Sequence, residues 1–182
     1  MTHLGLAAKA VGAIMAAALI GGCTATPTSS PTPTGPSQSP SPTVTPTPTL
    51  SPDDQKLEDA KARVVLLWQT LDGLLVDSSK SINELDTLAS GEALSSLQVM
   101  LTTVRQRGQV QVGATKIPSQ SALAKGDGWV VTSCVDRSEA ILTDKAGQPV
   151  TPAPQPRLSH ESTVQLVGAN LQITKDEVLG SC

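Results

Sequence analysis

His160 is the histidine of this chain that could take part in acid–base chemistry, and a serine and an acid flank it. Ser159, His160 and Glu161 therefore supply the residue types of a hydrolytic triad. The strained nucleophile motif that usually presents such a serine is absent from this stretch. We expect His160 to be a solvent-facing residue on a strand edge, with a Ser–His–acid site as the alternative.

Asp136 and Arg137 are a second candidate pair, because they follow a predicted core strand and could face a pocket as an acid and its partner. A surface ion pair or a turn cap is the alternative. We take these two residues, together with Trp68, as the candidate pocket residues. Gly126-Asp127-Gly128 predicts a hairpin turn, since neither a helix nor a Lys-Ser/Thr pair follows it, as a phosphate-binding loop would require.

Cys23 ends a segment that has the three parts of an export signal. A short start with Lys9 precedes the apolar run VGAIMAAALI, which has about half of the ~20 residues that a membrane-spanning helix needs. Ile20-Gly21-Gly22-Cys23 resembles the lipobox of bacterial lipoprotein precursors. This resemblance implies a signal peptide over residues 1–22 and a lipid on Cys23, and thus a protein anchored at the extracytoplasmic face of the cell membrane. An ordinary secreted protein is the alternative.

Residues 24–52 consist almost entirely of Thr, Ser and Pro and carry no charge. Such a segment cannot bury enough apolar surface to offset the entropy of ordering it. Its prolines favour extended polyproline II, so the segment could reach roughly 90 Å at about 3.1 Å per residue. We therefore predict three parts: the signal peptide, a lipidated cysteine with a disordered linker over 23–52, and a domain over 53–182.

Cys134 and Cys182 remain once Cys23 is lipidated, and an even pair of cysteines outside the cytoplasm predicts a disulfide. A bridge over about 48 residues stabilises a domain by about 3–4 kcal/mol in the chain-entropy model. A metal site that includes His160 is the alternative, but the three residues lack the close spacing of zinc ligands. We predict the disulfide, and neither a metal nor another cofactor.

The composition narrows the possible partners. The net charge is −3, and the chain has no Tyr and no Phe, so Leu, Val, Ile and Ala must build the core. Nucleic-acid binding requires clustered positive charge and often aromatic stacking, and neither is visible. We interpret Arg105-Gln106-Arg107 as the cationic end of a helix. The sequence therefore predicts no nucleic-acid partner.

The elements that position these residues are helices first and strands second. Ser51-Pro52-Asp53-Asp54 begins a helix with an N-cap, an early proline and acids in the first turn, and apolar residues at helical spacing extend it over 53–76. Two shorter helices follow, one opened by the capping box Ser81-x-x-Glu84 and one running from Ser90 to the C-cap Gly108.

Strands follow, joined by turns and a Pro-rich loop at 149–156. We predict them at residues 109–112, 129–135, 139–143, 157–167 and 171–174. Helices before a meandering sheet predict an α+β fold with an antiparallel sheet.

Several segments of the domain resemble the nuclear-transport-factor-two-like (ketosteroid-isomerase-like or SnoaL-like) fold, and in particular uncharacterised actinobacterial lipoproteins of that type. They are the long first helix with Trp68, the strand Trp129–Cys134 running into Val135-Asp136, the hairpin from Asp144 to Val150, and the last hairpin with Cys182. The resemblance implies N-terminal helices packed on a curved, cone-like antiparallel sheet. Leu171 departs from the pattern, because such domains often have a Trp after this turn.

Three functions are compatible with these observations. We favour a non-catalytic module of the cell envelope that binds another protein or a wall component. A carrier that holds a small apolar ligand in the cone is the first alternative. An isomerase-like or dehydratase-like enzyme is the second, although the lack of Tyr and the single domain histidine make acid–base catalysis difficult. A filled cone with an exposed apolar patch would favour the module.

Overall fold

The computed structural model describes residues 50–150 and 157–182, which belong to one compact unit of the chain. The signal peptide, Cys23 and the linker as far as residue 49 lie outside the described residues, as does residue range 151–156 of the Pro-rich loop. Within the two described ranges, no helix is long and apolar enough to cross a membrane.

Helix α1, Pro52–Val76, confirms the predicted long helix. The Ser51 hydroxyl accepts a hydrogen bond from the backbone N–H of Asp54 at 3.1 Å, and Asp53 and Asp54 lie in the positively polarised first turn. One stripe of the helix is buried because its apolar residues recur every three or four positions. The buried residues are Ala60, Val64, Leu67, Leu71, Leu74 and Leu75.

The predicted capping box opens a 3₁₀ helix, Ile82–Thr87. The Ser81 hydroxyl accepts from the backbone N–H of Asn83 at 3.3 Å, one residue earlier than a capping box requires, which suits the tighter 3₁₀ turn. Helix α2, Gly91–Gln106, follows and buries Ala93, Leu101 and Val104. It ends before Gly108, whose φ of 63° lies in the left-handed region that glycine adopts at helix ends.

Six strands follow: β1 Val110–Val112, β2 Lys116–Lys125, β3 Gly128–Asp136, β4 Ile141–Thr143, β5 Arg157–Val167 and β6 Asn170–Ser181. Strands β2, β3, β5 and β6 form a four-stranded sheet in that order, and β1 pairs with β4. All of these pairings are antiparallel. The coarse prediction, an α+β fold with an antiparallel sheet, is therefore confirmed.

Two strands differ from the prediction. No strand was predicted over the residues of β2, and β6 continues to Ser181 instead of ending at Thr174. Both are edge strands of the sheet. Their side chains are largely exposed, and so the apolar alternation that marks a half-buried strand is missing from their sequences.

Helix α1 lies across one face of the four-stranded sheet, which we call the inner face. Alternate residues of the central strands point to this face, since side chains alternate along a strand. Val131 and Val164 are fully buried there with Ile173, which packs with the stripe of α1 in one core. Partly buried hydrogen bonds also fix the helix, because the Asp72 carboxylate accepts from Gln111 and from Thr115 at 2.7–2.8 Å.

The sheet has two distinct ends. Trp129 pairs with Val164, so the β2–β3 turn and the β5–β6 turn lie together at what we call the hairpin end. Asp136 pairs with Arg157, and β6 finishes beside the start of β5, at what we call the disulfide end. Helix α1 begins near the hairpin end, where Asp53 and Lys56 border the β2–β3 turn.

Candidate functional site

A cluster of polar side chains lies on the inner face toward the disulfide end. The Asp176 carboxylate accepts a hydrogen bond from the Ser162 hydroxyl at 2.6 Å, and its other oxygen lies 2.8 Å from Nδ1 of His160. His160 and Ser162 are two residues apart on β5, so both point to the inner face. Asp176 lies on β6, directly opposite Ser162. Ser162 is fully buried and His160 is 7% exposed. We call these three residues the buried cluster.

Trp68 covers the buried cluster from helix α1. Its ring meets the His160 ring edge-on, with the ring centroids 5.2 Å apart and an interplanar angle of 86°. This is a favourable geometry for two aromatic rings, since the positive edge of one faces the negative face of the other. Nε1 of Trp68 is buried without a hydrogen-bond partner among the described residues. Trp68, one of the predicted pocket residues, thus closes the cluster.

The polar row continues onto the neighbouring strands. Ser133 lies opposite His160 on β3, is fully buried, and accepts a hydrogen bond from the Gln120 side-chain amide at 3.0 Å. The same amide lies 3.4 Å from the backbone oxygen of Lys61 in α1. A side-chain amide of β2 therefore connects the helix to the polar part of the sheet.

The expectation that His160 is a solvent-facing residue on a strand edge was wrong. Strand β5 lies between β3 and β6, so it has no free edge, and its residues His160, Ser162 and Val164 are buried on the inner face. Ser159 and Glu161 point to the opposite, outer face because of the alternation along the strand. The Ser159–His160–Glu161 alternative is therefore not assembled.

The order of hydrogen bonds determines what the buried cluster can do. In a nucleophilic triad the histidine lies between the hydroxyl and the carboxylate, so that it can take the hydroxyl proton. Here the Asp176 carboxylate lies between His160 and Ser162. The Ser162 hydroxyl donates to a carboxylate, and α1 covers the cluster. This arrangement orients His160 and fixes the pairing of β5 with β6.

Asp136 has a different partner from the one considered in the sequence. Its carboxylate lies at the end of β3, accepts from the backbone N–H of Ser138 at 3.0 Å and pairs with Nε of Arg157 at 2.8 Å. Hydrogen bonds from the Ser138 side chain and backbone, together with Arg157, hold the pKa of Asp136 below its ordinary value. Asp136 is thus a turn cap and an ion-pair partner, consistent with the structural alternative.

Arg137 does not pair with Asp136. Its Nε atom is buried and has no hydrogen-bond partner within the described ranges. A cleft at the hairpin end, at the other end of the sheet, is lined by residues other than Trp68, Asp136 and Arg137. The structure therefore does not bring the three predicted pocket residues together. Trp68 lies against the buried cluster, whereas Asp136 and Arg137 lie at the end of β3.

Cys134 and Cys182 lie at disulfide distance on the outer face of the sheet, in agreement with the predicted pairing, with their Cα atoms 5.8 Å apart. The backbone N–H of Cys182 donates to the carbonyl of Arg157 at 3.2 Å. The bridge joins the end of edge strand β6 to β3 across β5. Over residues 50–150 and 157–182, no group of three or more His, Cys, Asp or Glu side chains could hold a metal ion.

A cleft with a mixed polar and apolar lining opens at the hairpin end, between α1 and the β5–β6 turn. Its apolar lining consists of Ala62 and Leu66 of α1 with Ala169 and Leu171 of the hairpin, and Asp59, Arg63 and Asn170 form its polar lining. Leu66 is 44% exposed, and Leu166, which is paired with Leu171, is 61% exposed. We call this the hairpin cleft.

Sequence reasoning missed the hairpin cleft as well as Ser162 and Asp176. Leu66 lies beside the buried stripe of α1 and outside its spacing, and this position gave a weak signal of exposure. Ser162 lies two residues from His160 on a predicted strand, and so a shared face could have been inferred. Asp176 had no such signal, because the residues after Thr174 were not predicted to be a strand.

The fold of this chain is similar to that of a solved structure. No family model matches the chain, and no curated protein matches it. The crystal structure of the intermembrane-space region of the chloroplast protein ARC6 is similar with a TM-score of 0.54 and 17% sequence identity, over 74% of this chain and 100% of that one.

A de novo designed β-sheet protein, solved by NMR in solution, has a TM-score of 0.41 and 12% identity, over 70% of this chain and 92% of its own. We draw nothing from this second similarity. The similarity to the ARC6 region shows that the two chains share a fold, and a shared fold does not establish a shared function.

Proposed function

We propose that the chain is a lipoprotein anchored by Cys23 to the extracytoplasmic face of a bacterial membrane, and that its domain over 53–182 is a non-catalytic interaction module. We also propose that this domain has the cone-like, nuclear-transport-factor-two-like arrangement, with α1 packed against the concave face of the sheet. The lipobox and the Thr/Ser/Pro-rich linker support the anchor. The order of helices before an antiparallel sheet supports the cone.

The observation that carries the module is a filled interior combined with exposed leucine side chains at the hairpin cleft. The space between α1 and the sheet holds fully buried aliphatic side chains, including Val64, Val131 and Val164. The large apolar side chains that remain exposed include Leu66 and Leu166 beside the hairpin cleft. Large apolar side chains that are exposed around a cleft are a candidate site of interaction with another molecule.

The same observation weighs against the two alternatives. A carrier needs an enclosed apolar cavity, whereas the hairpin cleft is open to solvent. An enzyme needs its acid–base groups within reach of a substrate, whereas His160 and Ser162 are buried under α1. An interaction module accommodates both facts.

Photo-cross-linking in intact cells tests the module. We expect the full-length protein with a photoreactive residue in place of Leu66 to give one discrete adduct with another envelope protein. Val76 is a matched control, since it is an exposed apolar residue on the same helix that does not line the hairpin cleft. An absence of protein adducts at Leu66, together with a copurifying small molecule in native mass spectra of the full chain, would overturn the module in favour of a carrier.

The anchor has its own test. Replacing Cys23 with Ala removes the thiol that would carry the lipid, so we expect the protein to leave the membrane fraction and appear in the medium or periplasm. Detergent-dependent retention of the C23A variant at the wild-type level would contradict the anchor.

A further inference from the structure

The two edges of the four-stranded sheet are protected to different extents. Strand β2 carries Pro118, which has no N–H to offer, and has lysines at both of its ends, Lys116 and Lys125. Its register against β3 also shifts between Lys116 and Ser119. The proline distinguishes the two edges, because β6 also carries a lysine and register shifts, whereas a proline cannot donate a hydrogen bond to an added strand.

Strand β6 is covered over its first part. Ile173 exchanges two backbone hydrogen bonds with the segment before α2, donating to Leu88 at 2.9 Å and accepting from Ser90 at 3.0 Å. From residue 174 to residue 181, β6 pairs with β5 on one side, and no other described strand lies along its second side. This stretch contains no proline, and Val178 and Leu179 are 57% and 58% exposed.

Two register shifts against β5 bound a regular stretch of four residues, Lys175 to Val178. Along this stretch, which we call the open edge, side chains alternate between the faces of the sheet. Asp176 and Val178 share the inner face with their partners Ser162 and His160, and Lys175 and Glu177 point outward. A segment added to the open edge would thus place alternate side chains beside Glu177 and beside Val178.

The outer face of the open edge carries excess negative charge. Glu177 lies directly opposite Glu161 of β5, an unfavourable cross-strand pair of like charges. Lys175 compensates part of it, with its Nζ 2.7 Å from Glu177. The hydrogen bond that Lys175 donates to Glu177, and the charges of Glu177, Glu92 and Glu161, raise the pKa of Lys175. Three carboxylates therefore face one ammonium group.

We propose that the open edge of β6 binds an extended segment of a partner protein in which basic and apolar residues alternate. The partner adds a fifth strand through backbone hydrogen bonds, a recurrent mode of peptide recognition. Its basic side chains lie beside Glu161 and Glu177, and its apolar side chains cover Val178. This inference rests on the proposed function of the domain as an interaction module, and it names a second surface, separate from the hairpin cleft.

Amide hydrogen exchange with synthetic peptides tests the inference on the full-length protein in detergent. The probe is a six-residue peptide of alternating Lys and Val, and the control is the same peptide with Glu in place of Lys. We expect the Lys peptide to slow exchange at amides of residues 174–181 at least threefold, with no effect on β2, and we expect the Glu peptide to have none. Weakening of the effect by salt is expected, because surface charges are screened.

Substitutions of Glu161 and Glu177 test whether binding of the peptide depends on their negative charges. We expect E161Q with E177Q to raise the Kd for the Lys peptide about tenfold or more while the far-ultraviolet circular dichroism stays unchanged. The control E139Q removes a carboxylate that pairs with Lys116, away from β6, and should leave the Kd unchanged. Equal binding of the Lys and Glu peptides, protection confined to β2, or protection by self-association without peptide would each overturn the inference. An adduct at Leu66 would still support the module in these cases.

Discussion

The inner face of the sheet has two halves that are made by the same strands and differ in chemistry. Toward the hairpin end, Val164 and Ile173 form an aliphatic half that packs against α1, and Val131 lies opposite Ser162 where the two halves meet. Toward the disulfide end, Ser133 and the buried cluster form a polar half under Trp68. Aliphatic packing tolerates many arrangements of similar volume, whereas buried hydrogen bonds require one register. The difference indicates that the first half supplies stability and the second specifies the pairing of β5 with β6.

Removal of the disulfide should have the largest effect, because the bridge fixes the polar end of the sheet. We expect the C134S/C182S variant to lose about 4 kcal/mol in free energy of unfolding in the chain-entropy model for a loop of this length. Denaturant unfolding of both proteins measures the loss. A change below about 1 kcal/mol would mean that the hydrogen bonds of the polar half hold the end of β6 without the bridge.

Truncation of a buried side chain in the aliphatic half should have the second-largest effect on stability. Ile173 is fully buried, so I173A leaves a cavity and should cost about 3 kcal/mol. We expect I173V to cost about 1 kcal/mol, as the shape is largely kept. Equal losses for the two variants in thermal or denaturant unfolding would show that Ile173 acts through something other than its volume.

Substitution of Asp176 tests the contribution of the polar half to stability. The carboxylate of Asp176 accepts from two groups, whereas an Asn side chain offers one acceptor and brings a donor. We expect D176N to cost about 2 kcal/mol, since a buried donor then loses its partner. E177Q is the matched control on the same strand and should stay within about 0.5 kcal/mol, because Glu177 is exposed. Combining D176N with S162A should recover part of the loss if the unpaired hydroxyl causes it.

The smallest expected effect is on the thermal stability of the domain at acidic pH. The pKa of Asp136 is lower in the folded protein than its ordinary value of 3.8, so its ionised form stabilises the fold above that pH. This contribution is lost as the pH falls through the folded pKa. We expect D136N to flatten the dependence of thermal stability on pH below about pH 4. E139Q, which alters an exposed ion pair, should keep the wild-type profile.

Much of the fold could be predicted from local signals. The cap at Ser51 and the apolar stripe gave α1, and the strand over 157–167 was predicted with the bounds that β5 has. These elements have one strongly buried face, and burial is what the periodicity of a sequence records. Strand β2 and the second half of β6 were missed because edge strands expose most of their side chains and carry polar residues on both faces.

The buried cluster depended on information that the sequence order lacks. Whether His160 faces solvent or helix α1 is decided by the strand order β2-β3-β5-β6, which brings β6 beside β5 and α1 over both. The partnership of Asp136 with Arg157 likewise comes from the pairing of β3 with β5. The cysteine pair was predictable since two thiols allow one connectivity.

The two tryptophans of this chain lie in different halves of the domain. Trp68 contacts His160 in the polar half, and Trp129 packs at the hairpin end against the aliphatic core. With no Tyr or Phe in the chain, each indole is an isolated chromophore. Two single-tryptophan variants would therefore let fluorescence follow the opening of each half separately, and a difference between their unfolding midpoints would reveal the order in which the halves come apart.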